Sequence, residues 1–203
     1  MSLYRRLVLP RLINAVMASE EITRLRGNVV PRASGVVLEI GIGSGLNLPF
    51  YAPAVTKVYG VDPSAELLQM ASGKTAPLRF PVEFLHQETS RLPLSDESVD
   101  SIVVTWSLCS IDDPQSALRE GRRVLKAGGA LIFAEHGLSP DAGVEKWQNR
   151  LTPIWRRVAG GCHLNRRIDE VIRSAGFTTK ELRTGYMPGP RPLTYIYEGW
   201  AAK

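Results

Sequence analysis

Cysteine is scarce in this sequence. Its 203 residues include two cysteines, Cys109 and Cys162, and no Cys-x-x-Cys pair. Two cysteines are too few for the disulfide framework of a small secreted domain, and the missing spacing gives no local zinc knuckle. We therefore expect a reducing environment and a cytoplasmic location.

Long apolar runs are also missing. Near the N-terminus, Pro10 and Arg11 interrupt the apolar residues after a few positions, far short of the ~20 residues that span a bilayer and too short for a secretory signal. We expect residues 1–30 to form two helices that meet near Ser19 and act as a lid. The alternative is a weak contact of the basic start "LYRRLVLPRLI" with a membrane surface.

Positive charge is present but is not concentrated. The net charge is +5 and the pI is about 9.4, and the arginine pairs are spread along the chain without aromatic residues between them. Nucleic-acid-binding surfaces are typically basic patches, so we expect no nucleic-acid partner. A solvated basic surface accounts for the charge, and an anionic partner such as a lipid surface is the alternative.

From residue 35 onward, short apolar strands alternate with amphipathic stretches. This alternation predicts an α/β fold in which helices cover both faces of a mostly parallel sheet. The length and the 44% hydrophobic content fit one domain over residues 1–203. The predicted strands are Gly35 to Ile40, Lys57 to Asp62, Val82 to His86, Val99 to Trp106 and Gly129 to Glu135.

One helix is well signalled between the last two of these strands. Asp112 or Asp113 can cap its N-terminus, Pro114 suits its first position, and Gly128 with Gly129 predicts its stop.

The remaining C-terminal part departs from the alternation. Residues 144–159 are amphipathic and predict a helix kinked at Pro153. A further helix is expected over residues 166–175, and the tail predicts a closing β hairpin. We expect residues 31–136 to bind a cofactor and residues 137–203 to form a substrate insert with this hairpin.

Glycines occupy every second position after the first strand, in "VVLEIGIGSGLNLPFY". A strand, a glycine turn and a helix can place backbone N–H groups against a nucleotide. Dinucleotide binding requires G-x-G-x-x-G, but Leu46 stands where its third glycine should be. The sequence therefore gives little support to NAD or FAD binding. The alternative to any bound ligand is that the glycines form only a tight turn.

The spacing of Glu39 from these glycines instead resembles the first motif of class I S-adenosylmethionine-dependent methyltransferases. Asp62 after the second strand, "QETSRLPLSDESVDSIVV" and "RVLKAGGALIFAEH" are similar to the later motifs, in the same order. The resemblance implies a Rossmann-like fold with a mostly parallel seven-stranded sheet and an antiparallel final strand. It also implies that S-adenosyl-L-methionine is the methyl donor and S-adenosyl-L-homocysteine the product.

Three longer stretches narrow the resemblance: "GLNLPFYAP", "VVTWSLCSIDDP" and "WQNRLTPIWRRVAGGCHLNRRIDEVIRSAGF". Together they resemble the methyltransferase-like family, within the type 11 group, that includes animal microsomal alkyl-thiol S-methyltransferases. The resemblance covers about residues 35 to 202. It implies that the methyl acceptor is small and lipophilic. A thiol is the first candidate, and a quinol, a phenol or a lipid amine is the alternative. The alternative function is a membrane-surface protein that binds the cofactor with little turnover.

The same resemblance implies residue roles in cofactor binding. Glu39 is expected to anchor the loop or the ligand amino group, Asp62 the ribose hydroxyls, and Glu88 with Thr89 the adenine edge. The expected cofactor-binding residues are Glu39, Gly41, Gly43, Ser44, Gly45, Asn47, Asp62, Pro63, Glu88, Thr89, Trp106 and Ser107.

Candidate catalytic residues are His136, just past the fifth strand, and His163 in "GGCHLN". Either could accept the proton of a thiol, whose ordinary pKa of ~8.5 makes modest demands on a base. A structural hydrogen bond is the alternative role for each histidine. Zinc bound by these histidines and the two cysteines is a further alternative, but their spacing does not support it, and we expect no metal.

The expected substrate pocket contains Leu108, Trp147, Trp155 and Cys162. Burial in the hydrophobic core is the alternative for the two tryptophans. The expected partner is a small-molecule acceptor, and the chain is expected to be a monomer or a homodimer.

Overall fold

The computed structural model describes residues 9–203, so the start of the predicted membrane contact lies outside the described residues. Seven strands form in this part of the chain: β1 (Gly35–Ile40), β2 (Val55–Val61), β3 (Val82–Leu85), β4 (Val99–Thr105), β5 (Leu125–His136), β6 (Thr178–Tyr186) and β7 (Tyr195–Ala202). The helices are α1 (Leu9–Met17), α2 (Glu20–Val29), α3 (Ala65–Ser72), α4 (Pro114–Val124), α5 (Ala142–Val158), α6 (Ile168–Ser174) and α7 (Arg191–Thr194).

All seven strands belong to one sheet, in the order β3-β2-β1-β4-β5-β7-β6. Neighbouring strands from β1 to β5 pair in parallel, whereas β7 is antiparallel to both β5 and β6. The predicted seven-stranded, mostly parallel sheet with its antiparallel final strand is confirmed. The predicted C-terminal hairpin corresponds to β6 and β7.

The core lies on both faces of the sheet, as expected for strands covered by helices. Alternate strand residues belong to two separate clusters of buried side chains. Leu38 and Phe133 lie in one cluster, and their neighbours Val37 and Ile132 lie in the other. This is why the central strands are apolar at nearly every position.

The helix before β5 ends earlier than predicted. Asp113 is the N-cap, and its Oδ1 accepts a hydrogen bond from the backbone N–H of Ser116 at 3.0 Å. However, the helix stops at Val124, and β5 begins at once with Leu125, which pairs with Val99 and is fully buried. The glycine stop was wrong because Gly128 and Gly129 lie inside the strand.

The N-terminal helices meet at Ser19 as predicted, and this residue is the N-cap of α2. Its side chain, however, makes no capping hydrogen bond. Among residues 9–203, none of the helices has the length and apolar character needed to cross a membrane.

Candidate functional site

The carboxyl ends of the parallel strands meet at one edge of the sheet. The strand order reverses between β1 and β4, because β2 and β3 lie on one side of β1 and β4 and β5 on the other. Ligands in open α/β sheets bind at such a switch point. The loops that follow β1, β2, β4 and β5 carry most of the predicted site residues.

The glycine turn after β1 has one packed end and one open face. Gly41, Gly43 and Gly45 have φ angles of 71°, 54° and 74°, which favour glycine. A Cβ at Gly41 would lie 2.0 Å from Ser107 Oγ, whereas a Cβ at Gly43 would meet nothing nearer than Gly41 O at 4.0 Å, chain neighbours aside. The turn therefore packs against the loop after β4 and leaves space above Gly43.

Glu39 lies beneath this turn and holds it in place. The side-chain amide of Asn47 donates to its Oε1 at 2.8 Å, and the Tyr51 hydroxyl donates to its Oε2 at 2.7 Å. Burial raises the pKa of Glu39 to about 7, against the lowering effect of these two hydrogen bonds. Of the two predicted roles, anchoring the loop fits this position, because the carboxyl group is almost fully buried.

Two cations lie beside the turn. Buried Arg26, on α2, donates from Nε to Asn47 Oδ1 at 2.9 Å, and its guanidinium lies 5.2 Å from the Trp106 ring centroid. Burial lowers the pKa of Arg26 to about 10. Lys74 donates to the backbone carbonyl of Ser44 at 2.6 Å.

Asp62 stands at the end of β2, next to the open face of the turn. Its Oδ2 accepts a hydrogen bond from the backbone N–H of Gly43 at 3.0 Å, and its Oδ1 accepts one from Ser64 at 2.8 Å. Burial raises its pKa, and the nearby charge of Glu88 contributes to the same effect. Glu88 is exposed and Thr89 is buried, while the carbonyl of Pro63 faces His86 Nε2 at 3.0 Å.

This arrangement fits S-adenosylmethionine. The open face at Gly43 allows close approach to the backbone, which a side chain there would prevent. The Asp62 carboxylate beside it has oxygens that can accept hydrogen bonds from hydroxyl groups such as those of a ribose.

The loop after β4 is held by one buried carboxyl group. Glu135 Oε1 accepts hydrogen bonds from the backbone N–H groups of Ser107 and Leu108 at 2.8 and 3.0 Å, and Oε2 accepts one from Cys109 at 3.2 Å. Burial raises the pKa of Glu135 to about 7. Trp106, the residue before Ser107, has a φ of 50°, an uncommon value for a residue with a bulky side chain.

Cys162 and His136 lie together on the β5 side of this loop. Cys162 Sγ is 4.0 Å from His136 Nδ1, whereas His136 Nε2 is buried and has no hydrogen-bond partner. Hydrogen bonds from Cys109, His136 and Trp155 lower the pKa of Cys162 to about 5, although burial opposes them. Trp155 therefore lies near Cys162, and both belong to the predicted substrate pocket.

His163 is held differently from His136. Its Nδ1 lies 3.2 Å from both the Cys109 carbonyl oxygen and Arg166 Nη2. Burial lowers its pKa, and the positive charge of Arg166 adds to this effect. Depending on the tautomer, Nδ1 donates to this carbonyl oxygen or accepts from the guanidinium.

Trp147 lies apart from the other predicted pocket residues. Its side chain is 56% exposed, which rules out the alternative of a core position. It borders a shallow cavity of about 630 Å³ whose lining also includes Asp141, Arg191 and Pro192. Trp155 is eight residues further along α5, which turns its side chain about 80° around the helix axis.

No metal centre is formed by the described residues: nowhere in 9–203 do three or more His, Cys, Asp or Glu side chains come close enough to hold an ion.

Several residues of this site were not predicted from the sequence. Arg26 and Lys74 lie outside every quoted motif, whereas Tyr51 and Arg166 lie inside quoted stretches but were assigned no role. Glu135 carried a usable signal, since an acid at the end of an apolar strand has to find partners. The missed residues mostly hold loops in place, a role for which a single sequence offers little pattern.

Comparison with known proteins supports the resemblance to methyltransferases. Residues 38–133 match the family model described as a methyltransferase domain. The chain is 35% identical over 158 residues to rat thiol S-methyltransferase TMT1B, covering 76% of this chain and 64% of that protein. It thus spans slightly less than two thirds of the length of that relative.

A second relative, human thiol S-methyltransferase TMT1A, is 31% identical over 199 residues, covering 94% of this chain and 81% of that one. Among solved structures, a possible histamine N-methyltransferase from Thermotoga maritima, described as S-adenosylmethionine-dependent, aligns with a TM-score of 0.67. It is 21% identical and covers 99% of this chain and all of the other, so this likeness shows the fold.

Proposed function

This chain belongs to the S-adenosylmethionine-dependent methyltransferase family that includes the thiol S-methyltransferases, and from that membership we propose that it methylates the sulfur of a small, lipophilic thiol. The observation that carries the proposal is His136, whose Nε2 is buried without a partner at the carboxyl end of β5. Its other ring nitrogen, Nδ1, lies 4.0 Å from the Cys162 sulfur. Such a position suits the removal of a proton from an uncharged acceptor.

The cofactor side of the proposal uses the residues around the glycine turn. S-adenosylmethionine, when bound, supplies a methyl group on a positively charged sulfur. Asp62 would hold the ribose hydroxyls, and Gly43 would allow the ligand to approach the backbone. Arg26 and Lys74 would face its carboxylate, and the positive charge of Arg26, after burial, already contributes to a lowered pKa of Lys74.

The acceptor side is shaped by the loop after β4. Trp106 contributes apolar surface next to the turn, and Trp155 contributes it from α5. The predicted pocket residue Leu108 does not, because its side chain is fully buried in the core. The oxygens of Glu135 accept three backbone N–H groups, so this carboxyl group offers little attraction to a charged amine. An apolar lining favours a lipophilic acceptor and excludes water from the in-line displacement.

His136 would act as the general base. When its Nδ1–H faces the Cys162 sulfur, Nε2 carries the lone pair and can accept the proton of the thiol. His163 is the weaker candidate, because the positive charge of Arg166 beside its ring opposes the uptake of a proton. A positioned base contributes roughly 10²- to 10⁴-fold to the rate of proton transfer.

The proposal is tested by acceptor screening. The purified protein is incubated with methyl-labelled S-adenosylmethionine and alkyl thiols, phenols, quinols and lipid amines, with Asp62→Ala in parallel. We expect labelled thioether from the wild type and little from the variant, since each hydrogen bond to a charged acceptor contributes about 1.5–3 kcal/mol. Label appearing in a phenol, quinol or amine but not in a thiol would replace the thiol as acceptor. No transfer to any acceptor would contradict the proposal.

A further inference from the structure

The two cysteines of the chain, distant in sequence, meet beside the acceptor side of the site. Cys109 lies in the loop after β4 and is 3% exposed, whereas Cys162 follows α5 and is partly exposed. The two side chains lie near enough for each to shift the pKa of the other. Two free cysteines held side by side meet the first requirement for a disulfide.

The backbone around these cysteines keeps them together. The N–H of His163 donates to the carbonyl oxygen of Cys109 at 2.8 Å. Gly161 lies so near that a Cβ on it would be 3.1 Å from the carbonyl oxygen of Ser110. Arg166 also donates to the carbonyl oxygen of Ile111 at 2.7 Å. These contacts hold the loop after β4 and the loop after α5 together around the two cysteines.

The two thiols differ in a way that sets their order of reaction. Cys162 is partly exposed, whereas Cys109 is buried, so a reagent in solution reaches Cys162 first. The pKa shifts agree with this order: the pKa of Cys162 is lowered, first by the Cys109 thiol and also by His136 and Trp155, and the pKa of Cys109 is raised by Cys162 and by burial. A lower pKa favours the reactive thiolate form of Cys162.

From this juxtaposition we propose that Cys162 and Cys109 form a modification site for hydroperoxides, at which oxidation produces a reversible disulfide. The Cys162 thiolate attacks one peroxide oxygen and the O–O bond breaks. The leaving hydroxide of hydrogen peroxide, or the alkoxide of an alkyl hydroperoxide, takes up a proton to form water or an alcohol. Cys109 sulfur then attacks the resulting sulfenic acid, the S–S bond forms and the S–O bond breaks. The proton of Cys109 leaves with that hydroxyl as water, so two thiols are oxidised and one peroxide is reduced.

The disulfide would join the loop after β4 to the loop after α5. It would also remove the Cys162 thiolate from His136 Nδ1, which it faces at 4.0 Å. If the proposed function holds, on which this consequence rests, the oxidised protein loses methyl transfer, and a dithiol reductant restores it. The chemistry of the site does not depend on that consequence.

The test is a mass measurement on the full chain. Reduced protein is treated with a slight excess of hydrogen peroxide, its remaining thiols are alkylated, and it is digested. We expect an intact mass lower by two hydrogens and a peptide in which Cys109 is linked to Cys162, both reversed by reductant. Sulfinic acid on Cys162 without a linked peptide, or two thiols that remain fully alkylated, would overturn the proposal.

Variants separate the two roles. Cys109→Ala removes the resolving thiol, so we expect Cys162 to accumulate as a sulfenic acid that a dimedone probe captures. Cys162→Ala should leave Cys109 unreactive because it is buried, and melting curves identify any variant that fails to fold. Capture of a sulfenic acid on Cys109 instead would contradict the assigned order. Since these readouts need no methyl transfer, they are independent of the proposed function.

Discussion

His136 shows at the scale of one residue why burial and hydrogen bonding have to be known before a role is assigned. The sequence placed it and His163 at comparable positions, and the structure separates them by the partners of their ring nitrogens. We expect His136→Gln to lower kcat for a thiol on the order of a hundredfold. His163→Gln, the matched control, should keep kcat within a few-fold. Equal losses of kcat in both variants would contradict the assignment.

Glu135 leads to a prediction about stability against pH. Its pKa is about 7 in the folded chain and 4.5 ordinarily, so the folded state binds the proton more tightly. The stabilisation from this group is fully present below about pH 4.5 and is lost as the pH rises through about 7. We expect urea unfolding to show a decline on the order of 1–3 kcal/mol across this window.

Glu135→Gln should flatten that decline, because glutamine does not titrate. The variant should also be less stable throughout, since an amide oxygen replaces two acceptors and leaves a backbone N–H of the loop without a partner. Glu39 has the same direction of shift and remains in this variant, so part of the decline persists. An unchanged slope in Glu135→Gln would mean that its proton is not held as described.

At the scale of elements, the contacts of the N-terminal helices distinguish the predicted lid from the predicted contact with a membrane surface. Within the described part of α1, Leu9 and Pro10 are buried, and Asn14 Oδ1 accepts a hydrogen bond from the Ser44 hydroxyl at 2.5 Å. These contacts favour the lid. We expect deletion of residues 2–18 to weaken cofactor binding at least tenfold, measured by calorimetry, with no change in retention on anionic vesicles.

A point variant tests the same contact more finely. Asn14→Ala should weaken cofactor binding by a few-fold, whereas Asn28→Ala, an exposed position on α2, should not. Loss of vesicle binding after the deletion, together with an unchanged dissociation constant, would show that the segment serves a surface instead.

Helix α5 shows why part of the site could not be predicted. The pattern of apolar residues suggested a face that included Trp147 and Trp155, but its buried residues are Gln148 and Thr152. Gln148 is buried because its side chain bonds the backbone N–H of Ser139 and the carbonyl of Gly137, at 2.9 and 3.0 Å. A polar buried face of this kind carries no hydrophobic period.

At the scale of the whole molecule, the parallel core was predictable because its central strands are apolar at nearly every position and end at a turn or a polar residue. The glycine turn and Asp62 were predictable for a related reason, since each follows a strand at the same edge. The number of strands and the antiparallel final strand came from the family resemblance, and the order of the strands was not predicted. Long-range contacts such as Arg26 with Asn47 depend on how α2 docks, which local sequence does not specify.

The most direct test of the central claim is a titration with S-adenosylhomocysteine of the wild type, Gly43→Ala and Gly128→Ala. The two glycines are matched, with φ angles of 54° and 79°, and a Cβ at either would have no described atom nearer than 4.0 Å beyond its chain neighbours. Backbone strain is therefore shared, but only Gly43 faces the proposed cofactor. We predict at least a tenfold loss of affinity in Gly43→Ala and about wild-type affinity in Gly128→Ala. Unchanged affinity in Gly43→Ala would contradict the placement of the cofactor over the glycine turn.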